Sequence, residues 1–289
     1  MVRRFLKTLA VAAAVGGALA AAGAASAETH ARPAHGPEGG WTFSGPFGTF
    51  DQAQLQRGYR VYREVCASCH GMNLMSFRNL AQRGGPFYDP RYPNPNDSPY
   101  TRAIAGDVQV TDIDSETGDP VQRAATGSDR FPSPYPNEAA ARGSNGGALP
   151  PDLSVIVKGR QGGANYIYSL LTGYQPAPAG LTVAPGQHYN PYILGDVTAS
   201  WTGNPRQVPQ GGFIAMPPPL TSEGQVTYDD GTRATIPQMA EDVTAFLAWA
   251  SEPHQVQRRQ LGLAVLIYLV LFAGVVYASY RHIWRNVGH

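Results

Sequence analysis

The sequence predicts a mainly α-helical head with long loop insertions, followed by one C-terminal transmembrane helix. Three observations predict this class. Apolar residues recur at helical spacing in only a few stretches of the 289-residue chain. Its 33 glycines and 25 prolines concentrate between those stretches and mark long loops. A charge-free apolar run lies near the C-terminus. Because no internal repeat is visible, one domain with loop insertions fits better than two domains.

Residues 1–27 have the pattern of a secretory signal peptide. Arg3, Arg4 and Lys7 precede an apolar stretch that ends at Ala25-Ser26-Ala27. A basic start, a short apolar segment and a small-residue cleavage site are typical of export signals. We therefore expect cleavage before Glu28, which leaves an exported head over residues 28–257.

The first helix is predicted over Phe50–Val65. Its apolar residues lie near helical spacing, and Asp51 can cap its start. Gly58, Tyr62 and Cys66 are four residues apart in sequence and therefore share one face. A glycine on that face predicts that another helix crosses closely there.

Two further helices are predicted from the same periodicity. One covers Ala164–Thr172 and ends at Gly173. The other covers Pro237–Ala250, with proline at a favourable first-turn position. Phe246 and Trp249 belong to its apolar face, and we expect them to pack over the glycine of the first helix.

The first helix runs directly into Cys66-Ala67-Ser68-Cys69-His70. Cys66 and Cys69 are the only cysteines of the chain. Each thiol can form a thioether to a haem vinyl group, and His70 then lies under the iron as its proximal ligand. The pattern predicts one covalently attached haem c and a c-type cytochrome fold. The alternative, a redox Cys-x-x-Cys pair of thioredoxin type, leaves His70 without a role.

The opposite face of the iron needs a second ligand or stays open to substrate. Met216 and His188 are the two candidates. Met216 is followed by Pro217-Pro218-Pro219, which stiffen the backbone around a weak thioether ligand. The residues alone leave the choice between Met216 and His188 open.

Leu261–Ser279 contains no charged residue, and a helix of this length rises about 28 Å, close to the hydrocarbon thickness of a bilayer. Arg258 and Arg259 precede it. We predict a single transmembrane helix over residues 258–280 in the bacterial inner (cytoplasmic) membrane. With the head exported to the periplasm, residues 281–289 form a short cytoplasmic tail.

Charge excludes one class of partner and suggests another. The formal net charge is +1, so nucleic-acid binding has no basic patch on which to rest. One acidic run without intervening Lys or Arg can steer a basic protein partner, or it can be an ordinary solvated loop. The run comprises Asp107, Asp112, Asp114, Glu116 and Asp119.

From about Thr49 to the C-terminus the chain resembles cytochrome c1, the c-type haem subunit of the ubiquinol–cytochrome c oxidoreductase. The C-terminal anchor completes the resemblance. Its motifs are residues 57–66 leading into the haem motif, residues 147–154 (GALPPDLS), 162–174, 214–218 and 228–232. Residues 86–145 follow the family least well.

The resemblance implies site residues. It places the methionine ligand at Met216, so His70 and Met216 become the metal ligands and His188 is set aside. It also implies that Arg160 pairs with a haem propionate and that Pro150 binds the cofactor.

The resemblance further implies an electron-transfer subunit of a respiratory or photosynthetic complex that is not catalytic alone. Electrons pass from the Rieske iron–sulfur protein through the haem to a soluble or anchored c-type cytochrome. Cytochrome b, the lipid membrane and a dimeric complex are the other implied partners.

Two other functions compete with this one. A membrane-anchored cytochrome c that donates directly to a terminal oxidase or reaction centre usually has a smaller head and a flexible tether. A peroxidase or nitrite reductase needs an open iron position or a second haem.

Overall fold

The computed structural model describes residues 31–286, so the predicted signal peptide at residues 1–27 lies outside the described residues. Most elements are helices, joined by long loops and two small antiparallel sheets. In chain order they are α1 (Gln52–Val61), α2 (Pro99–Gly106), β1 (Gln109–Ile113), β2 (Pro120–Ala124), α3 (Glu138–Ser144), α4 (Gly163–Thr172), β3 (His188–Asn190), β4 (Gly212–Ile214), α5 (Ile236–Ser251) and α6 (Gln255–Ile283).

Helix α1 forms the first wall of the core and leads to the haem motif. Asp51 caps it by accepting the backbone N–H of Gln54 at 2.7 Å. After Val61 the chain continues through a five-residue π-helical turn, Tyr62–Cys66. The predicted helix over residues 50–65 is therefore confirmed as one α-helix and one π turn.

Helix α5 crosses α1 at Gly58. A Cβ atom added to Gly58 would lie 2.0 Å from the backbone oxygen of Asp242, so only glycine permits this approach. The Phe246 ring lies 5.7 Å from the ring of Tyr59 and 5.7 Å from that of Tyr62. Trp249 is fully buried. The predicted close crossing at Gly58 and the packing of Phe246 on it are confirmed, and the Trp249 ring lies 5.7 Å from that of Phe246.

A charged cluster lies beside this crossing. Arg57 donates from Nε and Nη2 to the two carboxylate oxygens of Asp242, at 3.0 and 3.2 Å, and from Nη1 to Asp230 at 2.7 Å. Gln238 adds a hydrogen bond to Asp242 at 3.0 Å. Burial raises the pKa of Asp242, and the hydrogen bonds from Arg57 oppose that shift. The cluster fixes the segment that carries Asp230 onto α1.

The region between residues 86 and 145 contains elements that the sequence did not predict. Helices α2 and α3 are short, and β1 pairs antiparallel with β2, with Asp112 opposite Val121. Only Val110 and Arg123 of these strands are half-buried and the other residues are exposed, so the strands lack the alternation that indicates a strand. Ile113 stays 60% exposed, near the end of this hairpin.

Helix α6 is the predicted apolar C-terminal helix. Only Glu252–His254 separate it from α5. Its apolar window has a mean hydropathy of 2.5 and no buried residue, and among the described residues it is the one helix long and apolar enough to cross a membrane. It extends beyond the predicted span of 258–280 at both ends, and at the N-terminal end its first turn packs on the head through the buried Gln255.

Candidate haem-binding site

The cysteine pair and the histidine lie on one tight turn at the end of α1. The backbone N–H groups of Cys69 and His70 both donate to the carbonyl of Cys66, at 3.1 and 2.9 Å. Both cysteines are free and partly exposed. Burial raises the pKa of Cys66 to about 12, so the free thiol is protonated at neutral pH. The turn therefore presents two thiols and an imidazole together.

The His70 ring is oriented by the segment that the sequence analysis singled out at residues 147–154. Its Nδ1 lies 2.8 Å from the carbonyl oxygen of Pro151. Because a carbonyl only accepts, Nδ1 carries the proton and Nε2 keeps its lone pair. Burial lowers the pKa of His70 and favours the neutral ring. His70 is thus held in the tautomer that can ligate a metal through Nε2.

The same segment clamps the chain that follows His70. Leu153 donates its backbone N–H to the carbonyl of Gly71 at 2.9 Å. Asp152 accepts the backbone N–H of Asn73 at 2.7 Å, and Ser154 accepts that of Leu74 at 3.0 Å. These contacts fix Pro151 beside the imidazole.

Pro150, a predicted cofactor-binding residue, precedes the oriented carbonyl and is half-buried. Leu149 and Val155 flank the clamp with 37% and 46% of their surface exposed. Such apolar surface next to the thiols suits a flat, largely apolar macrocycle. The donor set of two thiols, a neutral imidazole and a thioether elsewhere in the fold therefore fits a c-type haem.

Met216 lies on the methionine strap, which we define as residues 213–220. The strap continues from β4, and the hydroxyl of Tyr174 donates to the backbone carbonyl of Met216 at 3.0 Å. Burial raises the pKa of Tyr174, so this hydroxyl stays protonated. Met216 itself is half-buried. Tyr174 thus ties the strap to the end of α4.

The rival residue His188 lies next to the same strap. It begins β3 and pairs with Ile214 of β4, two residues before Met216. Its side chain lines an open cleft of about 530 Å³ together with Tyr174 and Pro218. Local position alone therefore does not separate Met216 from His188.

The last predicted cofactor-binding residue is Arg160. Arg160 is exposed, and its guanidinium donates to the carbonyl of Gly159 at 3.2 Å. The roles of Met216, Arg160 and Pro150 stay predictions.

Two positioning residues, Tyr174 and Pro151, are not predicted from the sequence. Tyr174 belongs to the motif at residues 162–174 and directly follows the glycine that ends α4. The neighbouring sequence does not indicate that its hydroxyl contacts a residue 42 positions further along the chain. Pro151 acts through its backbone carbonyl, 81 residues from His70 in sequence. Because every residue has a backbone carbonyl, the residue type does not reveal this role.

The acidic run is less negative than its sequence suggests. Asp107 pairs with Arg63 at 3.0 Å and Asp112 with Arg123 at 2.6 Å, and both arginines come from outside the run. The pKa of Asp112 is lowered by that Arg123 contact. The other three acids lie at the hairpin turn, which we call the hairpin tip: Asp114, Glu116 and Asp119.

The fold and the site together define a class: a helical head with a c-type haem motif on a single apolar anchor helix. Comparison with known proteins supports a specific family. The profile of the Cytochrome C1 family matches residues 41–287. The chain therefore belongs to the cytochrome c1 family, whose members are electron-transfer subunits of the cytochrome bc1 complex.

Named relatives agree with this assignment. "Cytochrome c1" of Blastochloris viridis is 41% identical, over 86% of each chain. "Cytochrome c1, heme protein, mitochondrial" of Saccharomyces cerevisiae is 44% identical over 81% of this chain and 67% of its own. "Cytochrome b/c1" of Bradyrhizobium diazoefficiens is 41% identical over 86% of this chain, which spans only 36% of that relative's length.

Proposed function

We propose that the chain carries one haem c, attached covalently through Cys66 and Cys69, and that His70 and Met216 would ligate its iron. In this proposal it takes electrons from the Rieske iron–sulfur protein and passes them to a soluble or anchored c-type cytochrome. The observation that carries the proposal is the His70 ring, whose Nδ1 is engaged by Pro151 and whose Nε2 is free. The yeast relative's name includes "heme protein", which supports the cofactor.

When bound, the haem supplies a one-electron ferric–ferrous couple. The residues of this chain decide how that couple is used. With His70 and Met216 both holding the iron, the haem would exchange electrons and would not bind a substrate. A neutral thioether ligand favours the reduced state over a second imidazole, so Met216 would give the haem a higher potential.

Tyr174 and Pro151 are the positioning residues for these two ligands. Pro151 fixes the orientation of His70, and Tyr174 holds the backbone of Met216 while the three prolines limit its movement. In the same proposal Arg160 would pair with a haem propionate, and Pro150 would contact the macrocycle.

The proposed topology follows the sequence. Residues 1–27 are the signal peptide, residues 28–257 the periplasmic haem domain, residues 258–280 the membrane span and residues 281–289 the cytoplasmic tail. The exposed, apolar surface of α6 supports the span, and bacterial relatives support a bacterial inner membrane. The Bradyrhizobium relative is named cytochrome b/c1, which supports cytochrome b as a partner. A dimeric complex is part of the same proposal.

A second function, direct donation from an anchored cytochrome c to an oxidase or reaction centre, needs a head that can travel. The link between α5 and α6 is three residues long, and Lys158 pairs with Glu252 within it at 2.9 Å. Such a junction favours a fixed head whose partners come to it.

Purification of the intact chain in mild detergent tests the proposed function. Cytochrome b and an iron–sulfur subunit should co-purify, and quinol should reduce the haem and then added soluble cytochrome c. Removal of the iron–sulfur subunit should stop reduction by quinol but not reduction by dithionite. A chain that purifies alone and instead reduces an oxidase directly would support the second function.

A further inference from the structure

Specific hydrogen bonds join the head to the first turns of α6. Gln255, in the first turn of α6, is only 8% exposed. Gln255 Nε2 and Arg259 Nη1 both donate to the backbone carbonyl of Phe43, at 3.2 and 2.8 Å. The first turns of the apolar helix therefore hold a loop from the other end of the chain.

That loop, which we call the Phe47 loop, comprises residues 42–49. Its ends are closed by a hydrogen bond from Thr49 N–H to the carbonyl of Thr42 at 3.0 Å. Gly45 has a φ of +73°, and a Cβ at Gly48 would lie 2.1 Å from the carbonyl oxygen of Ser44. Glycine is therefore required at Gly48, and the loop can only be a tight turn.

The aromatic residues of this region divide into two groups. Phe43 is 7% exposed and stacks on Phe50 at 4.8 Å and on Trp41 at 5.2 Å, against α5. Phe47, on the same turn, is 78% exposed. The buried rings fix the loop to the head, and the rigid turn holds Phe47 out of it.

The position of the loop along α6 suggests what covers Phe47. Arg259, which holds Phe43, precedes Leu261 by two residues, a rise of about 3 Å along the helix. Leu261 begins the charge-free span and is 67% exposed. Arginine at such a boundary keeps its charge at the interface while its stem lies along apolar surface. The Phe47 loop is therefore continuous with the surface at which α6 would enter the bilayer.

We propose that the Phe47 loop is a second membrane contact of the head, with the Phe47 ring inserted among lipids at the interface beside α6. The proposal rests on the membrane topology given above. A single exposed aromatic residue is normal on a protein surface. This one differs because its loop is hydrogen-bonded to the helix at the edge of the apolar span. Two contacts, α6 and Phe47, would fix the tilt of the head relative to the membrane.

Site-directed spin labelling of the intact holoprotein in phosphatidylcholine nanodiscs tests this contact. Cys66 and Cys69 are engaged in thioethers under the proposed function, so an introduced cysteine is the only reactive thiol. Nitroxides are placed by Phe47→Cys, by Val270→Cys in the span and by Ile113→Cys on the hairpin. The last two positions are 71% and 60% exposed in the protein. Unmutated chain gives the labelling background.

Two accessibilities of each nitroxide are measured: one to oxygen, which enters lipid, and one to a nickel chelate, which does not. The quantity compared is the ratio of the first accessibility to the second. We expect this ratio to be several-fold higher at position 47 than at 113, and highest at 270. A ratio at 47 equal to that at 113, with 270 in the bilayer, would overturn the Phe47 contact and leave the topology intact. Equal ratios at 270 and 113 would overturn the topology itself. A raised ratio at 47 that appears only when cytochrome b is present would assign the ring to that protein instead, against the proposal.

Discussion

The helix crossing at Gly58 and the hairpin region at residues 86–145 differ in how closely their backbones pack and in how deeply their charged residues are buried. At the crossing, two backbones touch and a carboxylate, Asp242, is fully buried under Arg57. In the hairpin region, Asp112 and Arg123 pair on a surface where both stay exposed. The difference shows where side-chain identity is constrained by packing. The crossing supports the turn that carries His70, while the hairpin contacts the core mainly through the half-buried Val110.

The buried ion pair should have the largest effect on stability. We expect Asp242→Ala to cost about 4 kcal/mol of unfolding free energy, because Arg57 then loses its buried carboxylate and keeps only the exposed Asp230. The matched change Asp112→Ala, in the exposed pair, should leave stability nearly unchanged. Denaturant unfolding of the intact chain in detergent, followed by circular dichroism, measures both. Equal losses would show that the two regions do not differ in this way.

A methyl group at the crossing should have the next largest effect. Gly58→Ala places a Cβ against the Asp242 carbonyl and forces the helices apart, at a cost of about 3 kcal/mol. The control is Gly143→Ala in α3, where the added Cβ meets no atom within 4 Å. That change should stabilise the helix by up to about 1 kcal/mol. If both variants unfold alike, the close approach at Gly58 is not a constraint.

The crossing should also respond to acid through Asp230. The N–H of Thr232 and then Arg57 lower its pKa to about 2, below the value of about 3.9 in an unfolded chain. Its carboxylate therefore contributes stability that is complete above about pH 4 and is lost as pH falls towards 2. Melting temperatures should be lower for Asp230→Asn than for wild type at pH 6 and should converge near pH 2. A gap that stays constant with pH would rule out this role.

The hairpin tip should affect association and hardly affect folding. We expect the triple change Asp114→Asn, Glu116→Gln and Asp119→Asn to slow electron transfer to a basic cytochrome c at low salt. Asparagine can still accept the turn hydrogen bond that Asp114 receives from Glu116. The effect should fade as salt rises, because the Debye length is about 8 Å at physiological ionic strength. Stopped-flow rates that match wild type at low salt would assign the tip to a solvated loop.

The parts of the fold that the sequence predicted are those where burial imposes a pattern. Helices α1, α4 and α5 have apolar faces at helical spacing, and α6 has the length and composition of a span. The short helices α2 and α3 bury only one or two residues each, and the hairpin strands have no fully buried residue. These elements need few buried apolar residues, so their sequences show no apolar periodicity from which they could be predicted.

The residues of the candidate site likewise divide into those that the sequence predicts and those that it does not. Cys66, Cys69 and His70 were predictable because covalent attachment requires those residue types at that spacing. The carbonyl of Pro151 and the hydroxyl of Tyr174 act across 81 and 42 residues of sequence. Only folding brings these two groups to the ligands they hold. A backbone carbonyl is present in every residue type, so the sequence cannot indicate which carbonyl orients His70.

The near-infrared spectrum of the oxidised chain tests the central claim, that His70 and Met216 together ligate the haem. Wild type should show the methionine–iron charge-transfer band. Met216→Leu should lose that band while the haem stays covalently attached. Met239→Leu, the same change at a fully buried core position, should keep it, and so should His188→Leu. A band that survives in Met216→Leu, or that disappears in His188→Leu, would contradict the assignment.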